Sequence, residues 1–242
     1  MIVLFVSDLH LDASRPAATE AFLRFLRQDA QKVDVLYILG DLFEYWISDE
    51  DPNPHYREIV AALATLTASG VRCFIMHGNR DFMLGDQFIR ETGTTLIHDP
   101  TLIYAGGRSV LLSHGDMLCT DDLSYQRFRK IVRSNWFQNI YKWLPFAFKS
   151  RLAAKARRRS VQLLGNKPPE ILDVNQDAVV SILQQYDVDT LLHGHTHRPA
   201  IHEFEANKRQ LSRIVLGDWY ESGSVLRWDE AGPQLTSLKF PK

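Results

Sequence analysis

The chain has 242 residues, of which 45% are hydrophobic, 11% aromatic and 24% charged, and its 28 basic and 29 acidic side chains leave a formal charge of −1. Such a chain can bury a full core in one domain, and its composition excludes a collagen, a disulfide-stapled scaffold and a disordered tail. Cys73 and Cys119 are too few for a disulfide framework and read as free thiols in a reducing compartment. No window approaches the ~18 apolar residues of a membrane span. The apolar run 2–6 lacks a preceding basic stretch, so no signal peptide is expected.

Strand-like runs at 2–6, 35–39, 71–76 and 110–112 alternate with helical stretches at about 16–30, 54–69 and 86–92, which is an α/β pattern. Ser14 before Pro16 suits a helix start, and Gly70 and Gly93 suit helix ends. Gly106-Gly107 reads as a hairpin turn. Farther on, Asp173 can cap a helix reaching about 186. Strands then follow at 190–193, 201–204, 214–216, 225–228 and 235–238. Two sheets packed face to face with helices outside are expected.

The small net charge hides an uneven distribution. Residues 123–169 contain no Asp or Glu but carry twelve Lys and Arg, while the remaining sixteen basic residues face all 29 acids, leaving −13 elsewhere. Aromatics are dense in the same segment, among them Tyr125, Phe128, Trp136, Trp143, Phe146 and Phe148. Apolar residues at helical spacing make it basic amphipathic helices, suited to an anionic membrane surface, a lipid or a nucleic acid. The plainer alternative is a helical subdomain whose aromatics form its own core.

Chemistry sits where the strands end. Five apolar runs lead into Asp8-Leu9-His10, Gly40-Asp41, His77-Gly78-Asn79-Arg80-Asp81, His114-Gly115-Asp116 and His193-Gly194-His195-Thr196-His197. In a layered α/β fold neighbouring strand ends converge, so these groups can share one cleft. If Asp-x-His and His-x-His are extended, residues i and i+2 point to one side, which leaves His77 and His193 pointing away from the cleft. Carboxylate, amide and imidazole together suit Mn²⁺, Fe²⁺ or Zn²⁺, and the donors outnumber the needs of one ion. Two ions would form a clamp for in-line attack on phosphorus.

In this order the motifs resemble the calcineurin-like metallophosphoesterases. The resemblance implies an α/β fold, a β-sandwich flanked by helices. It further implies one ion on Asp8, His10, Asp41 and His197 and a second on Asp41, Asn79, His114 and His195, with Asp41 as bridge. Many members follow Gly-Asn with a histidine that protonates the leaving group; here Arg80 stands in that place, suited to gripping phosphate oxygens and not to donating a proton.

With Ser-Asp-Leu-His-Leu at 7–11, Gly-Asp-Leu-Phe-Glu-Tyr-Trp at 40–46, His-Gly-Asn-Arg-Asp-Phe at 77–82, His-Gly-Asp-Met-Leu-Cys-Thr-Asp-Asp at 114–122 and His-Gly-His-Thr-His-Arg-Pro-Ala at 193–200, the chain is similar end to end to the lipid A pyrophosphohydrolases. That likeness implies two Mn²⁺ ions and cleavage of an acylated UDP-sugar lipid at its pyrophosphate. Substrate would be contacted by Asn79, Arg80, Asp122, Ser160, Lys167 and His195, with Arg80 and His195 catalytic. It also implies one domain over 1–242 with a helical lipid cap at about 122–168. The protein would be a monomer, peripheral on the cytoplasmic side of a bacterial inner membrane, with no nucleic-acid partner. A nuclease or cyclic-nucleotide phosphodiesterase would use the same metals, and a non-enzymatic membrane module is the rival from another class.

Overall fold

The computed structural model describes residues 1–164, 171 and 173–240. Among them the first sheet has the order β11-β10-β1-β2-β3-β4 and the second β5-β6-β7-β9-β8. Strands β1 (Val3–Val6), β2 (Val35–Ile38), β3 (Arg72–Met76) and β4 (Thr95–Ile97) run parallel, linked by α1 (Pro16–Gln28), α2 (Pro54–Ala68) and α3 (Asp86–Thr92). Antiparallel β10 (Ser222–Asp229) and β11 (Gly232–Lys239) extend the other edge of that sheet. The second sheet joins β5 (Thr101–Ala105), β6 (Arg108–Ser113), β7 (Thr190–His193), β8 (Ala200–Ala206) and β9 (Arg209–Val215), with β6, β7 and β9 parallel.

Period-two alternation explains the layers. On β1, Val3 and Phe5 enter the core between the sheets, where Leu112, Leu192, Ile214 and Trp228 meet them; Leu4 and Val6 face the opposite way, onto Phe22, Phe25 and Ile59 of α1 and α2. On the second sheet, Leu111 and Leu191 back onto Val179, Ile182 and Leu183 of α7 (Gln176–Gln185). The result is helices, sheet, sheet, helix. Phe5 stacks on Tyr37 at 5.1 Å and meets Trp228 edge-on at 6.3 Å; truncating it to Ala would cost about 3–5 kcal/mol.

Local signals held in part. The hairpin turns at Gly106-Gly107, and Gly93 closes α3 in the left-handed conformation. Helix α1 is not capped by Ser14: its N-cap is Arg15, and the Ser14 hydroxyl donates to Asp12 instead. Nor does Asp173 cap α7. Asn175 does so, accepting from the N–H groups of Asp177 and Ala178, while Asp173 pairs with Arg198. The short strands β4 and β5 carry no apolar alternation strong enough to mark them in sequence.

Between β6 and α7 the chain forms α4 (Leu123–Val132), α5 (Asn135–Lys142) and α6 (Phe146–Leu164). Asp122 caps α4, accepting from the Tyr125 N–H and the Ser124 hydroxyl. Arg129 of this helix and Arg133 at its C-cap pair with the buried Asp116, and Arg133 also donates to the Gly78 carbonyl at 3.0 Å. These helices do not use all their aromatics as a core. Trp143 is 90% exposed, and Trp136, Ile140 and Phe148 are exposed too.

Candidate metal centre

The ends of β1, β2, β3, β6 and β7 bring the five motifs to one place. Extended triplets do not orient them: Asp8, His10, Asp41, His195 and His197 all have positive φ, between 48° and 70°. Non-glycine residues adopt this conformation only where the surroundings impose it, and such strain clusters at functional sites. Here hydrogen bonds from Asp8 N to Gly40 O (3.1 Å) and from His10 N to Asp41 O (2.9 Å) lock the first two loops together. Two glycines permit the close approach: a Cβ on Gly78 would meet Asp41 Oδ1 at 2.1 Å, and one on Gly194 would meet Ser7 Oγ at 2.0 Å.

Two groups of donors converge, Asp8, His10 and His197, and Asp8, Asp41 and His114, each with ligand atoms within 4.8 Å of one another. Asp41 Oδ2 lies 3.9 Å from His10 Nε2 and 3.8 Å from His114 Nε2, between the two histidines. Asp8 Oδ1 is 3.4 Å from His197 Nε2. Asn79 Oδ1 joins the second group at 3.0 Å from His114 Nε2. The His195 ring stands beside His114, centroids 5.1 Å apart, and its backbone N–H donates to Asp8 Oδ2.

The far ring nitrogens of three histidines face oxygen atoms. His114 Nδ1 meets the Leu39 carbonyl at 2.9 Å and His197 Nδ1 meets Asp218 Oδ2 at 3.2 Å, while His10 Nδ1 lies 3.3 Å from Glu44 Oε2, at ion-pair distance but not aligned for a hydrogen bond. Acceptors at Nδ1 keep the proton there and turn the Nε2 lone pairs inward. His10 Nε2 and His197 Nε2 then face each other at 3.3 Å. Two lone pairs at that separation need a positive charge or a proton between them, so the donor set fits a divalent cation.

The electrostatics agree. Burial by itself would lower the His197 pKa, but hydrogen bonds to Asp218 and Asp8 raise it to about 10. Burial would raise Asp8, yet the hydrogen bond with His197 and the charges of His114, His197 and His10 hold it well below the carboxylate range. Burial, then the His114 charge, pushes His195 down to about 4, so it stays neutral at physiological pH. Burial also pushes both cysteine thiols up to about 12, which leaves Cys73 and Cys119 unreactive.

Of the remaining sequence-derived residues, the structure describes the side chains of Arg80 and Asp122. Arg80 donates its backbone N–H to Asp41 Oδ1 at 2.7 Å and its guanidinium to Glu44 and Tyr45. Asp122 stands at the start of α4, within the segment that Arg133 ties to Gly78. The side chain of Ser160 and the whole of Lys167 lie outside the described residues. His77 and His193 stay out of the cluster, bound to the carbonyls of Leu84 and Gly194.

Several residues of this site have no role assigned by the sequence, although Asp81 and Asp116 stand inside its motifs. Asp218 follows β9 as Gly217-Asp218, the same strand-Gly-Asp signature that marked Asp41. Asp81 accepts from the backbone N–H groups of Asp41, Leu42, Phe43 and Gly78, binding the second and third loops together from beneath. Asp116, Arg129 and Arg133 form the buried ionic joint under α4.

Comparison with known proteins agrees with this geometry. The chain is 50% identical over 240 residues to a UDP-2,3-diacylglucosamine hydrolase of Escherichia coli, covering 99% of this chain and 100% of the relative. It is 49% identical over the same span to the protein of that name from Escherichia fergusonii. In fold it is similar to a solved archaeal phosphodiesterase, with a TM-score of 0.51 at 11% identity, covering 98% of this chain and all of the other. Residues 1–199 match the family model described as calcineurin-like phosphoesterase. Fold, donor cluster and full-length likeness lead to one conclusion: the chain belongs to the calcineurin-like phosphoesterase family.

Proposed function

We propose that this chain hydrolyses the pyrophosphate bond of UDP-2,3-diacylglucosamine, yielding UMP and 2,3-diacylglucosamine 1-phosphate. The observation that carries the reading is 50% identity over essentially the whole chain to hydrolases of that name, and the convergence of Asp8, His10, Asp41, His114 and His197 accords with it.

Asp8, His10, Asp41 and His197 would hold one Mn²⁺, and Asp41, Asn79, His114 and His195 a second. When bound, the two ions supply a hydroxide nucleophile at neutral pH and neutralise charge on the phosphoryl group. Arg80 lies beside Asp41 and keeps its charge at any working pH, so it grips the non-bridging oxygens and stabilises charge as it develops. His195, kept neutral by burial, assists in stabilising that charge. No general acid is required, because a sugar phosphate leaves as an anion. Attack falls on the α-phosphorus, beside the uridine.

The segment 122–168 serves as the lipid cap, with Asp122, Ser160 and Lys167 contacting substrate. Its basic charge and the exposed Trp136, Ile140, Trp143 and Phe148 support peripheral docking of a monomer on the cytoplasmic face of the inner membrane. Among the described residues no helix is long and apolar enough to cross a membrane. The test is to offer metal-loaded protein UDP-2,3-diacylglucosamine, a cyclic nucleotide and an oligonucleotide side by side. UMP release from the first, abolished by chelation, is expected; turnover of either of the others alone overturns the assignment.

A further inference from the structure

Glu44 stood outside every ligand set expected from the sequence, yet it touches both halves of the site. Its backbone is fixed where the loops after β1 and β2 lie side by side: Leu11 N donates to Leu42 O at 3.0 Å, Glu44 N donates to Leu11 O at 3.1 Å, and Leu11 and Phe43 form a parallel bridge. This short ladder places the Glu44 carboxylate between His10 and the loop after β3. Its two oxygens serve different partners, with Oε2 3.3 Å from His10 Nδ1 and Oε1 3.1 Å from Arg80 Nη1. The side chain is 14% exposed, so solvent screens neither contact strongly.

Each contact has a distinct consequence. A carboxylate oxygen 3.3 Å from Nδ1, though not aligned for a hydrogen bond, favours the His10 proton on that nitrogen by its charge, which leaves Nε2 as a lone-pair donor toward Asp8, Asp41 and His197. At the other oxygen, Glu44 and the Tyr45 hydroxyl share one terminal nitrogen of Arg80, at 3.1 and 2.7 Å, which steadies the guanidinium beside the cluster. The Tyr45 ring lies 5.5 Å from the guanidinium carbon and supports it further.

We propose that Glu44 is a positioning residue shared by the two functions of the site, setting His10 as an Nε2 metal donor with one oxygen and aiming Arg80 at the phosphoryl group with the other. The proposal deepens the metallohydrolase reading and rests on it. A glutamine at this position keeps the shape. To accept from Arg80 with its oxygen, however, it must turn its amide N–H₂ toward His10 Nδ1. That arrangement moves the imidazole proton to Nε2 and blocks the lone pair.

Two measurements test it. In calorimetric titration of metal-free protein with Mn²⁺, Glu44→Gln is expected to weaken binding roughly 10- to 100-fold, with circular dichroism and thermal unfolding like wild type. Arg80→Ala is expected to leave that affinity within about twofold. At saturating metal, Glu44→Gln is expected to lower kcat/KM in the wild-type background and to add almost nothing in the Arg80→Ala background, because the remaining oxygen then has no guanidinium to aim. Wild-type metal affinity in Glu44→Gln overturns the His10 role, and fully additive losses in kcat/KM overturn the Arg80 role. Should Glu44→Gln fail to fold, Glu44→Asp takes its place, since it keeps the charge but is too short to span both partners. The titration uses no substrate, so its outcome stands apart from whether UDP-2,3-diacylglucosamine is the substrate.

Discussion

The ring of Tyr125 lies over the imidazole of His195, centroids 6.3 Å apart and planes 24° from parallel, while its hydroxyl donates to the buried Asp116 carboxylate at 2.6 Å. The first helix of the basic segment is thereby part of the wall of the metal centre. Tyr125→Phe keeps the stack and removes a hydrogen bond to a charged, buried acceptor, so a loss of about 1.5–3 kcal/mol in unfolding free energy is expected by denaturant titration. Tyr125→Ala is expected to lower kcat as well, because His195 loses its backing. A Tyr125→Phe variant as stable as wild type would show that Arg129 and Arg133 satisfy Asp116 unaided.

Metal uptake is expected to release a proton. With its pKa raised to about 10, His197 is protonated at neutral pH in the metal-free protein and must become neutral to donate Nε2. Calorimetric enthalpies of Mn²⁺ binding should therefore vary with the ionisation enthalpy of the buffer, and affinity should fall as pH drops. Stability of the metal-free protein follows the same group. A histidine whose folded pKa is raised contributes fully below its unfolded value near 6.5, and that contribution is lost as pH rises toward 10. His114, also raised, adds in the same direction, and His193 and His195, pushed down to about 4, are silent above pH 6.5. From pH 6.5 to about 8.5, below the range of unfolded cysteine, the metal-free protein should lose up to about 1.4 kcal/mol per pH unit for each proton retained. A flat profile would sink this reading.

Asp81 supports the loop that carries Asp41. Four backbone N–H groups point at its carboxylate, so Asp81→Asn places an amide where only acceptors fit. A destabilisation of roughly 2–4 kcal/mol is expected, together with weaker metal binding as the loops at Asp41 and Gly78 separate. Thermal unfolding of the metal-free variant reads the first effect and metal titration the second.

Trp143 is 90% exposed, so Trp143→Ser should leave the unfolding free energy within about 0.5 kcal/mol of wild type. If the basic segment docks on membranes, the same change should weaken sedimentation with anionic liposomes, and changing Arg157, Arg158 and Arg159 together to Glu should weaken it further. Binding by wild type should fade as salt rises. Absence of wild-type binding at low salt would remove the docking role while leaving the hydrolase assignment intact.

The sequence revealed the layers and the ligand motifs because both are local signals. Val3 to Val6 alternate between two cores with period two, and each donor follows directly on such a run. It concealed the residues that act through distant partners. Glu44, Asp81 and Asp116 stand inside the motifs but a linear reading gives them no partner, and only the ladder at Leu11 and Phe43, the approach of Gly78 to Asp41 and the docking of α4 bring them against the site. Local geometry misled in one respect. Asp8-x-His10 and His195-x-His197 face their cleft through left-handed turns, which long-range hydrogen bonds such as Asp8 N to Gly40 O impose.

Product analysis in oxygen-18 water tests the central claim most directly. Metal-loaded protein incubated with UDP-2,3-diacylglucosamine is expected to yield UMP carrying one heavy oxygen and unlabelled 2,3-diacylglucosamine 1-phosphate, with neither product formed after chelation. Intact substrate under the metal-loaded condition would contradict the account, and label in the sugar phosphate would contradict attack at the α-phosphorus.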